Sequence, residues 1–234
     1  ALAAQRHMAL YGTRPDHFAA VAIAARLWAA RTPHAQLHEP LDLDGYFASP
    51  MVAEPLRRAD CCLISDGAAA VVVCAADRAP DLPSRSVRVL GFGQAHSLGT
   101  WSSPEHFDRL PAARCGPATL ARAGLSISDI DIALIYDCFT IAVLMQLEDY
   151  GFCKKGEAGA FVENGRIGPG GELPVNPSGG LMAEGYGGGM MHVIEAVRQL
   201  RGEADARQIK GAEIALVSGH GLGMNTHATL LLGR

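Results

Sequence analysis

The chain has 234 residues, enough for one large domain or one and a half ordinary ones. Hydrophobic residues make up 49% and charged residues 19%, a balance that suits a globular protein with a sizeable core. The formal net charge of -4 argues against a nucleic-acid partner, and no apolar run approaches the roughly 18 residues that span a bilayer.

The chain opens on ALAAQRHMALYG, mid-helix and without Met, and no signal peptide is legible. The start reads as cut off. Residues 1–12 and 16–31 are predicted helices. In the second, Phe18, Val21, Ala22, Ala25, Trp28 and Ala29 recur at helical spacing and define a buried face. Residues 32–58, rich in Pro, Asp and His, lack a period and read as an ordered loop region. The run SDGAAAVVVCAA, 65–76, is short, continuous and β-branched, the pattern of a strand buried on both faces. A second strand follows in VRVLGFG, 87–93, and the stretch 94–112 is the expected crossover between domains.

Beyond it the order is regular. Residues 118–125 form a helix ended by Gly124, 131–137 a strand, and 140–151 a helix closed by Gly151. Residues 156–180 hold many Gly and Pro and predict loops or a hairpin. Residues 187–201 predict a helix with an apolar stripe of Met190, Val193, Ile194, Val197 and Leu200. EIALVSG and ATLLLG are the closing strands. Strands alternating with amphipathic helices mean an α/β layered fold. The six cysteines show no CxxC pair, so free thiols in a reducing cytoplasm are expected, with no metal site.

Three segments carry candidate chemistry: YDCF at 136–139, NPSGGLMAEGYGGG at 176–189 and SGHGLGMN at 218–225. All fall at strand C-termini or helix N-termini, where α/β proteins place ligands. Each alone has a plain structural reading. Tyr136 suits a core, Gly187 to Gly189 suit a tight turn into a helix, and His220 suits a turn cap. Together, in this order, they are more specific.

NPSGG followed by a glycine-led helix is similar to the thiolase pattern NPSGG…GHPxGAxG. YDCF resembles the HDCF segment of the sterol-carrier-protein type, and SDGAAAVVV and the terminal GxGLG loop also match that family. The resemblance implies the layered α-β-α-β-α thiolase fold. Residues 1–95 would be the loop domain with the last strands of the N-terminal domain, and 96–234 the C-terminal domain. The first part of the N-terminal domain, roughly 150 residues, is implied to be missing. In thiolases that part carries the nucleophilic cysteine.

Two departures bear on activity. The histidine of GHP is here Tyr186, and that of HDCF is Tyr136. The loop around His220 lacks a cysteine, although the sterol-carrier class can take its second catalytic cysteine from HDCF, here Cys138. Replacing both imidazoles removes the groups that titrate near neutral pH, so making a thiolate becomes difficult. A phenol, with an ordinary pKa of about 10, suits another task. Beside a helix N-terminus its phenolate would be stabilised. Two such groups facing one pocket can remove a proton from a β-hydroxyl and return one to an enolate, which is retro-aldol cleavage.

Bacterial thiolase-like lipid-transfer aldolases, which shorten steroid side chains, look like this, with YDCF and GYG. The resemblance implies cleavage of a 17-hydroxy steroid side-chain CoA thioester to a 17-keto steroid and propionyl-CoA. It implies catalytic roles for Tyr136, Tyr186, His220 and Cys138, with CoA entering as part of the substrate and no resident cofactor. It also implies a cytoplasmic homodimer and a DUF35 partner (zinc ribbon plus OB-fold) completing a heterotetramer. The alternatives are a sterol-carrier-type thiolase using Cys138 as acid/base, and a non-catalytic thiolase-like scaffold subunit.

Around these residues the expectations are plainer. Asp137 orients Tyr136 or, the expected role, caps the helix at Thr140. Cys138 is either a relic of thiolase chemistry or a core filler. His220 supplies an oxyanion donor, a proton or a turn cap. His192 falls on the polar side of its helix and reads as solvated surface. Asn176 is expected to build its loop, and Cys62 to be buried.

Overall fold

The computed structural model describes residues 1–82, 84–97 and 107–234. Helix α1 (Leu2–Tyr11) ends on Gly12 at φ 69°, and α2 (Pro15–Ala29) starts with proline in its first turn, where the missing N–H costs nothing. The predicted stripe of α2 is buried, from Phe18 to Trp28, and Trp28 Nε1 donates to the Ile167 carbonyl at 3.1 Å. Inside the region expected as loop lie a short helix, α3 (Leu43–Ala48), and a small hairpin of β1 (Met51–Ala53) and β2 (Leu56–Arg57).

The run 65–76, expected as a doubly buried strand, carries no strand, and Val72 and Val73 are 93% and 80% exposed. Its pattern is that of a strand, but a strand needs a neighbour for its backbone groups. No segment among the described residues supplies one.

The main sheet has four strands: β3 (Arg88–His96), β4 (Ile132–Leu134), β5 (Ile214–Gly221) and β6 (Thr226–Gly233), in the order β3-β6-β5-β4. β3/β6 and β6/β5 are antiparallel, and β5/β4 is parallel. β3 is hydrogen-bonded along its length to β6, so the unit boundary expected at residue 95 falls inside a strand of this sheet. Of the expected crossover, residues 98–106 lie outside the described residues.

The connecting helices are α4 (Ala112–Arg122), α5 (Thr140–Tyr150), α6 (Ala158–Val162), α7 (Gly180–Ala183) and α8 (Gly189–Arg201). β4 shows the period-two logic of a sheet covered on both faces. Ile132 and Leu134 pack with Ala196, Leu200 and Val217 on the α8 side. Ala133 and Ile135 join the larger core, which contains Val143, Leu144 and Leu147 of α5. Every residue of α5 is buried, and Gly151 at φ 90° ends it as expected.

The helix α8 differs from its predicted stripe. Of Met190, Val193, Ile194, Val197 and Leu200, only Leu200 is fully buried, whereas His192, Glu195, Ala196 and Gln199 are. Polar residues occupy the inward side where partners await them: Glu195 bonds an arginine and Gln199 a backbone carbonyl, while His192 stands 3.2 Å from a carboxylate with neither ring nitrogen hydrogen-bonded among the described residues.

Candidate active site

The parallel pair β4 and β5 directs its C-terminal ends to one place, where open α/β sheets hold ligands. Tyr136 follows β4 by two residues, and its backbone is pinned on both sides. Its N–H donates to Ser218 Oγ of β5 at 2.7 Å, and its carbonyl accepts from Gln146 Nε2 of α5 at 2.8 Å. Ser218 Oγ in turn donates to Gln146 Oε1 at 2.6 Å. Asn176 of NPSGG straps the same segment, accepting from the Ile135 N–H and donating to the Ile135 carbonyl, both at 2.8 Å. Asn176 therefore builds the loop, as the sequence predicts.

Tyr186 lies between α7 and α8 and is half-buried; its N–H donates to Ser65 Oγ at 2.9 Å. The two phenols meet, with Tyr136 Oη 2.7 Å from Tyr186 Oη. Burial foremost, and then the hydrogen bond it shares with Tyr186, hold the Tyr136 phenol well above its ordinary pKa. Tyr136 thus keeps its proton at neutral pH, and that hydroxyl is able to donate to Tyr186. The Tyr136 ring rests on the first turn of α8, where a Cβ on Gly189 would stand 3.8 Å from its Cδ2 and Cε2.

His220, at the end of β5, brings its ring to 6.0 Å from the Tyr136 ring, centroid to centroid. Burial pushes its imidazole down to about 4, so the ring is neutral at physiological pH. Its Nδ1 is buried and has no hydrogen-bond partner among the described residues. Facing it across the β5–β6 ladder is His227, its ring 5.9 Å away and pushed down to about 3 by burial and then by His220. His227 Nε2 bonds Tyr150 Oη at 2.8 Å.

This pair has a consequence for stability. The folded pKa values of about 4 and about 3 lie below the 6.5 of an ordinary histidine. An unfolded chain therefore takes up protons first as pH falls, which favours unfolding. Stability should decline as pH drops from about 6.5 towards about 4, and His227→Gln should flatten that decline. Thermal melting across this window checks it. A slope equal in variant and parent would count against the two histidines as its source.

Cys138 is half-buried, and burial, followed by the charges of Cys62 and Asp137, pushes its thiol up to about 12. Cys62 donates its N–H to the Cys138 carbonyl at 3.0 Å and is only partly buried, short of the full burial expected. All six cysteines are free.

Asp137 does not cap α5. Its carboxylate accepts the N–H of Leu181 at 2.9 Å and of Met182 at 3.3 Å, in the first turn of α7. Thr140 bonds Asp60 instead, at 2.8 Å. His192, expected on the surface, is fully buried with Nε2 3.2 Å from Asp137 Oδ1. The helical wheel could not reveal this, because the partner comes from a segment more than fifty positions earlier. The structure thus gathers Tyr136, Tyr186, His220 and Cys138 at one sheet end, and adds Asp137, His192 and Ser218.

The thiolase C-terminal domain-like family matches residues 93–234, more than half of the chain. The chain belongs to that family. Among its relatives is the 17-hydroxy-3-oxo-4-pregnene-20-carboxyl-CoA lyase of Mycobacterium tuberculosis, 39% identical over 99% of this chain and 61% of the relative. An acetyl-CoA acetyltransferase of Methanothermobacter thermautotrophicus is also 39% identical, over 95% of this chain and 59% of the relative. The solved Ltp2-ChsH2(DUF35) aldolase superposes with a TM-score of 0.92 at 34% identity, covering 100% of this chain and 62% of that one. The fold is therefore the thiolase fold. This thiolase-family chain spans about three fifths of the length of the curated relatives it matches. No helix among the described residues is long and apolar enough to cross a membrane.

Proposed function

We propose that the chain carries the acid–base half of an aldolase site that cleaves a β-hydroxyacyl-CoA, with a 17-hydroxy steroid side-chain thioester as substrate. The observation that supports it is the 2.7 Å contact between Tyr136 and Tyr186. Buried Tyr136 keeps its proton and donates to Tyr186, which stabilises a phenolate on Tyr186 as that oxygen takes the β-hydroxyl proton. The β-carbon oxygen becomes a ketone, and the Cα–Cβ bond breaks with its electron pair moving to the thioester enolate. A proton returned through the same tyrosine pair to the α-carbon gives propionyl-CoA and a 17-keto steroid. Neutral His220, with a ring nitrogen to spare, suits donation of a hydrogen bond to the enolate oxygen.

A thiol held near 12 is poorly matched to acid–base work at neutral pH, which weighs against Cys138 in a thiolase cycle. The similarity to both a lyase and an acetyltransferase makes the products the deciding measurement. The full-length protein, assembled with a DUF35 partner as a heterotetramer, should convert a 17-hydroxy steroid side-chain CoA ester to propionyl-CoA and the 17-keto steroid by mass spectrometry. A shortened acyl-CoA formed from a 3-ketoacyl-CoA and free CoA, without that cleavage, would establish a thiolase instead.

A further inference from the structure

An imidazole–carboxylate contact lies against the tyrosine pair, and neither resemblance nor acid–base chemistry has given it a task. His192 is 0% exposed and Asp137 1%, with Nε2 and Oδ1 3.2 Å apart, and neither ring nitrogen of His192 has a hydrogen-bond partner among the described residues. The carboxylate is held from two further sides. Leu181 and Met182 donate their N–H groups to it, and Gly180, at φ 62°, leaves no room for a side chain. A Cβ on Gly180 would stand 2.2 Å from Asp137 Oδ2. Asp137 therefore cannot turn away from His192.

The imidazole is just as closely placed on its other side. Its ring meets the Tyr136 ring edge to face, at 6.1 Å and 81°. Gly189 and His192, three residues apart on α8, lie on the same helix face. Gly189 lets Tyr136 approach the helix backbone, and His192 stands beside it. An apolar side chain at this position, close to Ala196 and Leu200, would avoid the cost of burying two polar groups. The negative field of Asp137 reaches the site, where it helps raise the thiols of Cys62 and Cys138. Left unbalanced, that field would also oppose negative charge on the tyrosines.

We infer that His192 is a positioning residue for the tyrosine pair: it braces the Tyr136 ring and offsets the Asp137 charge beside it. The inference rests on the aldolase reading for its kinetic consequence, while its structural consequence can be measured without turnover.

The test compares three variants of the full-length protein: His192→Gln, His192→Phe, and the double variant Asp137→Asn/His192→Phe. His192→Phe keeps an aromatic ring but removes the imidazole beside the carboxylate, so kcat should fall at least about thirtyfold with KM within about threefold. His192→Gln supplies an N–H towards Asp137 and should lose less, about tenfold or under. Removing the charge as well should recover about tenfold of the loss in the phenylalanine variant, a coupling that a packing defect does not produce. An unchanged kcat in His192→Phe, or a double variant no faster than His192→Phe, would overturn the inference.

Independently of turnover, the ¹³Cζ resonances of Tyr136 and Tyr186 in tyrosine-labelled protein should move together in His192→Gln while those of Tyr11 and Tyr46 stay put. Both resonances unmoved would also overturn it. A parent protein that shows no cleavage condemns the aldolase reading alone, and the resonances then decide the role of His192. If His192→Phe does not fold, the glutamine variant carries both measurements.

Discussion

Tyr186→Phe is expected to lower the cleavage rate at least about a thousandfold, while folding and CoA-thioester binding survive. General acid–base groups contribute about a hundredfold to ten-thousandfold, and this substitution removes the oxygen that would take the β-hydroxyl proton. It also strips Tyr136 of the partner that stands 2.7 Å from its hydroxyl. The fold should tolerate the change, because Tyr186 is half-buried and its backbone is held independently by Ser65. Single-turnover kinetics, with binding measured separately by calorimetry, check both parts. Cleavage at the parental rate would remove Tyr186 from the chemistry.

The second large effect concerns stability. Arg207 makes a two-pronged contact with Glu195 of α8, Nε to Oε1 at 3.0 Å and Nη2 to Oε2 at 2.9 Å. Both side chains are almost wholly out of solvent, at 3% and 2% exposure. Arg207→Met would leave a buried carboxylate without its cation, a defect that costs about 3–5 kcal/mol. The segment around Arg207 is also sewn to α8 through Gln199, which donates to the Arg207 carbonyl at 3.0 Å. Loosening that seam would free the helix whose first turn supports Tyr136. Denaturant unfolding of Arg207→Met should show the loss, and Glu195→Gln in the same chain should recover much of it. A loss under about 1 kcal/mol would mean that water reaches Glu195.

Local signals settled much of the architecture. The helices expected over 1–12, 16–31 and 140–151, the last closed by Gly151, agree with α1, α2 and α5 to within two residues, because spacing and helix-ending glycine act through local sterics. The alternation of apolar strands and amphipathic helices was enough for the α/β class. The motifs YDCF and GYG were enough to single out two tyrosines fifty residues apart, which the structure joins.

Other features depended on partners remote in the chain. The run 65–76 has the composition of a buried strand, yet strand formation is a property of two segments, and its pattern could not say whether a second one was present. The inward side of α8 was misplaced because hydrophobicity decides burial only where polar groups lack partners. Arg207 satisfies Glu195 and Asp137 stands 3.2 Å from His192 Nε2, and neither pairing leaves a trace in local periodicity. The pKa of Tyr136 was equally beyond the sequence. Packing, which excludes water, holds that phenol above its ordinary value, and only the folded chain creates that packing. Residue types and their spacing determined which side chains are available for chemistry. Desolvation and long-range pairing, which exist only once the chain is folded, decided what each of them can do.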